Sequence, residues 1–392
     1  MATSKEKNED GDVENGSRAS HDTVPYKERI RHFTWSWFAT TMSTGAIPVL
    51  ISNSPYTFRG LITIGKIFYI LDIVLFLAYC AIMTTRFILR PRALTRSLHY
   101  PSEALFFGAF WVSIALILTS ASLYGVPACG PWLIKALEIA FWVYVAAVLL
   151  VAIFQYHTLF VAEKLRVDSA MPAWILPIYP FLVLGPLAGT LANTQPTSAA
   201  IPILIGGVMF QGLGWIVSIF VYTIYIMRLM GSELPAPPTR PGMFISVGPA
   251  GYTATAFVQL GTQAQQHFPP GWLGVSTPAG DIVKVMGIMC GIFLWLLAFW
   301  FFSLSVVGVL EGVKRMKFTL NWAAFIFPNA GLCLAAIQIG NALDSTGIKA
   351  VATGMIILLV VVWIFVAVCL VLAVRKGSIM WPGMDEDAGM DA

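Results

Sequence analysis

Charge is scarce in this chain: Asp, Glu, Lys and Arg make up 11% of its 392 residues, against about 25% in a soluble globular domain. That shortage excludes an ordinary water-soluble fold of this length. Cysteine is sparse as well. Cys80, Cys129, Cys290, Cys333 and Cys369 show no CxxC or Cys/His spacing, so no metal site or disulfide within the chain is expected. The sequence has no Walker loop, His/Glu metal motif or nucleophile elbow, so no enzyme emerges. No catalytic residue, metal or cofactor is assigned. No apolar h-region lies near Met1, so a cleaved signal peptide is not expected and the first apolar span should itself target the membrane.

What is present instead is apolar sequence, 57% of the chain. Ten long apolar runs lie near 33–52, 61–85, 103–123, 132–160, 172–193, 201–228, 243–264, 281–308, 318–342 and 350–374. A helix of roughly 20 apolar residues crosses about 30 Å of hydrocarbon. The expected fold is therefore an all-α membrane protein of ten transmembrane helices. Runs four, six and eight exceed the needed length and should tilt or protrude.

Loop charges give the direction. With the N-terminus inside, the inner segments hold Lys5, Lys7, Arg18, Lys27, Arg29 and Arg31, then Arg86, Arg90, Arg92 and Arg96, then Lys164, Arg166, Arg228 and Arg240, then Lys314, Arg315, Lys317, Arg375 and Lys376. The outer loops hold only Arg59 and Lys349. This positive-inside bias puts both termini in the cytoplasm. Residues 1–24 are polar and cannot bury apolar area, so a disordered tail is expected over 1–29. A transport domain over 30–376 and a C-terminal tail over 377–392, acidic at Asp385, Glu386, Asp387 and Asp391, complete the organisation. The net charge of +4 reflects inner-loop cations, and no nucleic-acid partner is indicated. Tyr26, Trp35 and Trp37 read as interfacial anchors.

Odd and even runs differ in kind. Run one carries Thr40, Thr41, Ser43, Thr44, Gly45 and Pro48, and run five carries Pro177, Pro180, Gly185, Pro186, Gly189 and Thr190. Run seven has Gly248, Pro249, Gly251, Thr253, Thr255, Gln259 and Gly261, and run nine has Pro328, Asn329, Gly331, Gln338 and Asn341. Run three is milder, with Gly108, Ser113, Thr119 and Ser120. Even runs are mostly aliphatic and aromatic, with run six the exception at Gly206, Gly207, Gln211, Gly212 and Gly214. Broken helices survive in lipid only where protein or water covers them. Odd helices should therefore lie inside and even helices face lipid, as five hairpins around an axis. The competing reading is that small residues merely let helices pack closely.

Within run seven, Gly248, Tyr252, Thr255, Gln259 and Thr262 share a face; in run nine, Phe327, Gly331, Leu334, Gln338 and Asn341 do. No Asp, Glu, Lys or Arg lies deep in an odd run. A path lined by hydroxyls, amides and broken-helix N–H groups suits an anion held weakly enough to leave.

The stretch Arg31-His32-Phe33-Thr34-Trp35-Ser36-Trp37-Phe38, leading to Met42-Ser43-Thr44-Gly45, together with Phe327-Pro328-Asn329, resembles the malic-acid transporter branch of the tellurite-resistance/dicarboxylate transporter family. Plant slow anion channels belong to the same superfamily. The resemblance covers residues 30–376. It implies a quasi-fivefold ring with odd helices lining a central pore, a homotrimer with a pore in each protomer, and a phenylalanine on the ninth helix that occludes it. The matching position is Phe327, with Phe325 the alternative. The resemblance further implies malate, succinate and fumarate-type dicarboxylates as substrates at a fungal plasma membrane, and a related branch that exports sulfite.

On this reading Thr41, Ser43, Thr44, Gly45, Ser113, Thr255, Gln259, Asn329 and Gln338 are the candidate substrate and pore-lining residues. Lys66, Lys135 and Lys284, near the outer ends of even runs, are candidates for an anion-attracting vestibule. The competing reading is snorkelling, helped by Glu138 and Asp281. Asp72, a carboxylate near the middle of run two, is either a proton-coupling site or a partner for a polar neighbour. The rival functions are a sulfite exporter, a gated small-anion channel and a non-transporting receptor or scaffold. The absence of a sizeable soluble domain weighs against the last.

Overall fold

A computed structural model describes residues 24–162 and 165–381, and every regular element among them is helical. The two tail segments 1–23 and 382–392 lie outside the described residues. The principal helices are α1 (Phe38–Ser52), α2 (Leu61–Leu89), α3 (Phe107–Ser120), α4 (Pro131–Ala162), α5 (Leu184–Ala192), α6 (Thr197–Gly231), α7 (Val247–His267), α8 (Ala279–Gly312), α9 (Phe327–Ala342) and α10 (Thr346–Arg375).

Among the described residues, eight helical stretches are long and apolar enough to cross a membrane; they contain α2 to α6 and α8 to α10. The other two expected spans fall on α1 and α7. Helix α1 is only 15 residues long. Helix α7 carries Thr253, Thr255, Gln259, Thr262 and Gln263, which lower its apolar character.

Burial divides the helices as their composition does. Within the stretch Pro172–Ala192 that ends in α5, 94% of the apolar window is buried, and for Leu320–Ala342, which ends in α9, 89%. The corresponding share is 17% for both α2 and α10. Even helices present Ile, Val, Leu and Phe outward because lipid accepts them without cost. Helix α1 packs on α3, α3 on α5, α5 on α7, α7 on α9, and α9 back on α1. Each even helix packs against the odd helix that precedes it: α1 with α2, α5 with α6, α7 with α8 and α9 with α10 are among the broadest contacts.

Small residues set the α7–α9 crossing. A Cβ on Gly251 would lie 2.6 Å from the backbone nitrogen of Leu332, and one on Gly331 would lie 2.6 Å from the Tyr252 ring. Only glycine on both helices lets α7 and α9 meet with backbone against backbone.

Every odd helix starts late. A tighter or separate segment precedes it: Trp35–Trp37 before α1, Pro101–Ala104 before α3, Pro172–Ile178 and Tyr179–Leu182 before α5, Pro237–Ser246 before α7, and Leu320–Phe325 before α9. Proline explains most of these breaks, since it lacks an N–H and crowds the preceding turn. The segment before α5 contains Pro177 and Pro180, and Pro328 sits in the first turn of α9. The breaks lie on the side of the molecule that carries the basic loops, hereafter the basic face; the opposite side is the far face.

Two features tie the basic face together. Arg86 and Glu103, both buried, form a two-pronged ion pair, with Arg86 Nη2 donating to Glu103 Oε2 at 3.1 Å. The backbone N–H of Trp35 donates to Glu103 Oε1 at 3.3 Å, and Trp35 Nε1 donates to Ser97 Oγ at 3.1 Å. Trp35 and Trp37 are thus buried packing residues rather than interfacial anchors, because their rings fill the space between α1 and its neighbours. The other feature is a short helix, Tyr26–Ile30. It corrects part of the expected tail. Arg29 Nη2 donates to the Val374 carbonyl at 2.9 Å, and the Arg29 guanidinium lies over the Trp381 ring. These contacts give the segment partners that composition alone does not reveal.

Candidate functional site

Two cavities sit at opposite ends of the odd helices, and each is bounded by all five odd segments. The far-face cavity holds about 330 Å³ and is lined by Asn53 after α1, Ser122 after α3, Asn193 after α5, Gln259 and Gln263 of α7, and Gln338 of α9, among others. The basic-face cavity is far smaller, about 10 Å³, room for about one water molecule. Its walls are Met42 of α1, Phe106 before α3, Tyr179 before α5, Ile245 before α7, and Phe327 and Pro328 of α9. Among the described residues, no charged side chain lines either cavity.

Phe327 fills the narrow end. It is fully buried, stacks on Tyr252 with centroids 4.8 Å apart, and meets Tyr179 at 5.5 Å. Tyr252 Oη donates to the Phe327 carbonyl at 3.2 Å, and Tyr179 Oη donates to the Ile245 carbonyl at 3.3 Å. Phe325 points elsewhere: it is half-buried and packs on Phe244 at 5.3 Å and Trp322 at 5.7 Å.

The late helix starts have an electrostatic consequence. The first turns of α1 and α9, and the residues that lead into α3, α5 and α7, surround the small cavity. The helix dipoles put partial positive charge there. The far-face cavity receives the opposite helix ends, with partial negative charge, so its hospitality to an anion must come from side-chain donors.

The remaining candidates fall into distinct places. Thr41 Oγ1 and Ser113 Oγ are 2.8 Å apart and join α1 to α3. Ser43 donates to the Ala323 carbonyl at 2.9 Å, joining α1 to the segment before α9. Thr44 accepts from Trp363 Nε1 at 3.0 Å and so turns towards α10. Thr255 donates to Gly251 O at 3.0 Å and to Gly331 O at 3.3 Å, across the α7–α9 crossing. Asn329 is buried; its Nδ2 donates to the Phe325 carbonyl at 2.9 Å across the break, while its Oδ1 has no partner. Gln338 Nε2 donates to Asn53 Oδ1 at 3.3 Å in the far-face cavity. Gly45 faces Asp72: a Cβ there would lie 2.6 Å from Asp72 Oδ2. Asp72 is buried, and neither carboxylate oxygen has a hydrogen-bond partner.

None of Lys66, Lys135 and Lys284 lines the far-face cavity. Lys66 is exposed, Lys135 Nζ bonds Glu138 Oε2 at 2.9 Å, and Lys284 Nζ donates to Gln265 Oε1 at 2.7 Å. Lys349 is likewise engaged, donating to Asp344 Oδ1 at 2.6 Å. That hydrogen bond and charge hold the Asp344 carboxyl below its usual range.

Sequence reasoning did not single out Tyr179, Gln263, Asn193 or Asn53. Tyr179-Pro180 repeats the aromatic–proline pair of Phe327-Pro328, a signal that could have found the first. Gln263 follows Gln259 by one helical turn, and so belongs to the same stripe.

Comparison with known proteins agrees with these features. Residues 32–371 match the family described as SLAC1, voltage-dependent anion channel. The chain is 34% identical over 368 residues to a malic acid transport protein of Schizosaccharomyces pombe, covering 93% of this chain and 84% of that one. A putative malic acid transport protein of the same yeast is 32% identical over 363 residues, covering 92% and 84%. The sulfite efflux pump SSU1 of Arthroderma benhamiae is 29% identical over 343 residues, covering 86% and 89%.

Proposed function

This chain belongs to the SLAC1 family, and on that premise we propose that it carries malate and related C4-dicarboxylates, such as succinate and fumarate, across a fungal plasma membrane. The family and its relatives are channels and transporters rather than enzymes. In this reading the ten helices form five hairpins in a quasi-fivefold ring, both termini are cytoplasmic, and three protomers assemble, each with its own pore. Phe327 is the occluding side chain, and proton coupling, where it operates, runs through Asp72.

One observation carries the reading. Two cavities with uncharged linings, each bounded by all five odd segments, lie at opposite ends of the odd helices, and the buried Phe327 ring, packed on Tyr179 and Tyr252, walls the smaller one. Neutral donors bind a dianion loosely enough to release it, as conduction requires. The resemblance to named malic acid transporters supports the substrate class. The sulfite efflux relatives favour a second reading, in which a small inorganic anion uses the same path.

The deciding experiment is flux into liposomes containing the purified protein, with pH and voltage set independently. Labelled malate should move in competition with succinate. Movement of sulfite or chloride without malate would replace the dicarboxylate reading with the second one. Malate movement without proton movement would remove only the coupling.

A further inference from the structure

The far-face cavity contains two side chains whose chemistry is unspent. Gln259 and Gln263 lie one turn apart on α7 and both line the cavity. The carbonyl oxygens of both side chains are buried without a hydrogen-bond partner. Gln263 is 9% exposed, so its amide has little access to bulk water. A buried amide without partners is costly, and most such groups in native proteins are satisfied. Which end of each amide points inward is interchangeable by a flip of the terminal group. Each can therefore present N–H donors to the cavity.

Three neighbouring polar groups are already committed. Gln338 donates to Asn53, Thr262 to the Val258 carbonyl at 2.8 Å, and Thr194 to the Leu191 carbonyl at 3.2 Å. Gln259 is also set in place from behind. A Cβ on Gly189 would lie 3.0 Å from the Gln259 Cβ and 3.4 Å from its Oε1.

We infer that Gln259 and Gln263 form a two-point dicarboxylate recognition site in the far-face cavity, one amide for each carboxylate. Side chains four residues apart on a helix stand about 5–6 Å apart. The carboxyl carbons of a C4 diacid are separated by three carbon–carbon bonds, a span that such a pair can bracket. A C3 diacid is too short to meet both amides without tilting. A monovalent anion can use only one amide at a time. The partial negative charge of the surrounding helix ends makes the two donors the source of affinity, and it keeps that affinity low enough for release. The inference rests on the dicarboxylate reading and adds to it the residues that set chain length.

The test uses the full-length protein in liposomes, with malonate, succinate, acetate and chloride as probes. Wild type should show a lower half-saturating concentration for succinate than for malonate. Gln259→Met and Gln263→Met keep volume but remove the donors. Each should raise half-saturating succinate about tenfold, the order expected for one hydrogen bond to a charged group. Acetate and chloride flux should stay within about twofold, well under the effect of one such bond. The double variant should lose the preference for C4 over C3. Gly189→Ala, which crowds Gln259 without touching its chemistry, should raise half-saturating succinate as well, and it serves where a Met variant fails to fold. Unchanged succinate half-saturation with an intact chain-length preference in folded variants would overturn the assignment while leaving dicarboxylate transport standing. Wild type that moves chloride but no diacid would overturn both.

Discussion

Tyr252 holds Phe327 twice: its hydroxyl donates to the Phe327 carbonyl at 3.2 Å, and its ring stacks on the phenyl at 4.8 Å with planes 23° apart. One residue of α7 thus fixes both the backbone at the start of α9 and the ring that fills the narrow cavity. Phe327→Ala should raise malate flux by removing that plug. It should also lower stability by about 3–5 kcal/mol, the usual cost of emptying a buried phenyl site. Flux and thermal melting measured on the same preparation separate the two effects. A folded variant with wild-type flux would exclude Phe327 as the occluding group.

Tyr252→Phe keeps the stacking and removes only the hydroxyl. The expected cost is about 1 kcal/mol, with flux between wild type and Phe327→Ala. Flux equal to wild type would mean that the hydroxyl tether does not restrain the ring.

Much of this arrangement is legible in sequence. Pro328 announces a break, and the stripe from Phe327 through Gly331 to Gln338 announces an interior face. Buried odd helices followed from their Gly, Pro and hydroxyl content. Periodicity cannot say which neighbour a polar face meets, and that is where residue roles become unreadable. Thr41 and Thr44 lie on one stripe, yet Thr41 meets Ser113 of α3 and Thr44 meets Trp363 of α10. Arg86 reads as a loop cation near the end of a span, but folding brings Glu103 to it from the next segment. Asn53 and Asn193 sit just beyond helix ends, where polar residues carry no periodic signal, and they become cavity walls only once the helices are assembled.

The Arg86–Glu103 pair should be essential to folding of the basic face. Arg86→Ala breaks a buried, two-pronged ion pair, and the expected loss is about 3–5 kcal/mol. Glu103→Gln keeps the shape and an acceptor for the Trp35 N–H, but it removes the counter-charge of the buried Arg86 guanidinium, which cannot shed its proton, so a loss of similar order is expected. Thermal melting in detergent measures both. An Arg86→Ala protein as stable as wild type would show that the pair adds nothing beyond its neighbours' packing.

Gly331→Ala tests the α7–α9 crossing. The added Cβ would stand 2.6 Å from the Tyr252 ring, so the ring must move or the helices must part. Overpacking of this kind costs about 1–3 kcal/mol. Because the displaced ring is the one stacked on Phe327, flux should change along with melting temperature. A destabilised variant with unaltered flux would separate the crossing from the occluding ring.

Asp72 and Gly45 should act as a pair. The carboxyl lies on even helix α2, but it is pressed against α1 where glycine leaves room, and no hydrogen bond holds it. Loss of its charge should therefore be felt by a helix of the inner set. Asp72→Asn preserves shape and removes the exchangeable acid. If Asp72 couples protons, malate uptake driven by a pH gradient should fall about tenfold, while uptake driven by voltage alone persists, a difference worth about 1.4 kcal/mol. Gly45→Ala should reduce both, because its Cβ would stand 2.6 Å from Asp72 Oδ2 and push the two helices apart. Equal pH-driven uptake in wild type and Asp72→Asn would assign the carboxyl a packing role alone, and Gly45→Ala would then be expected to lower the melting temperature without altering the driving force for malate.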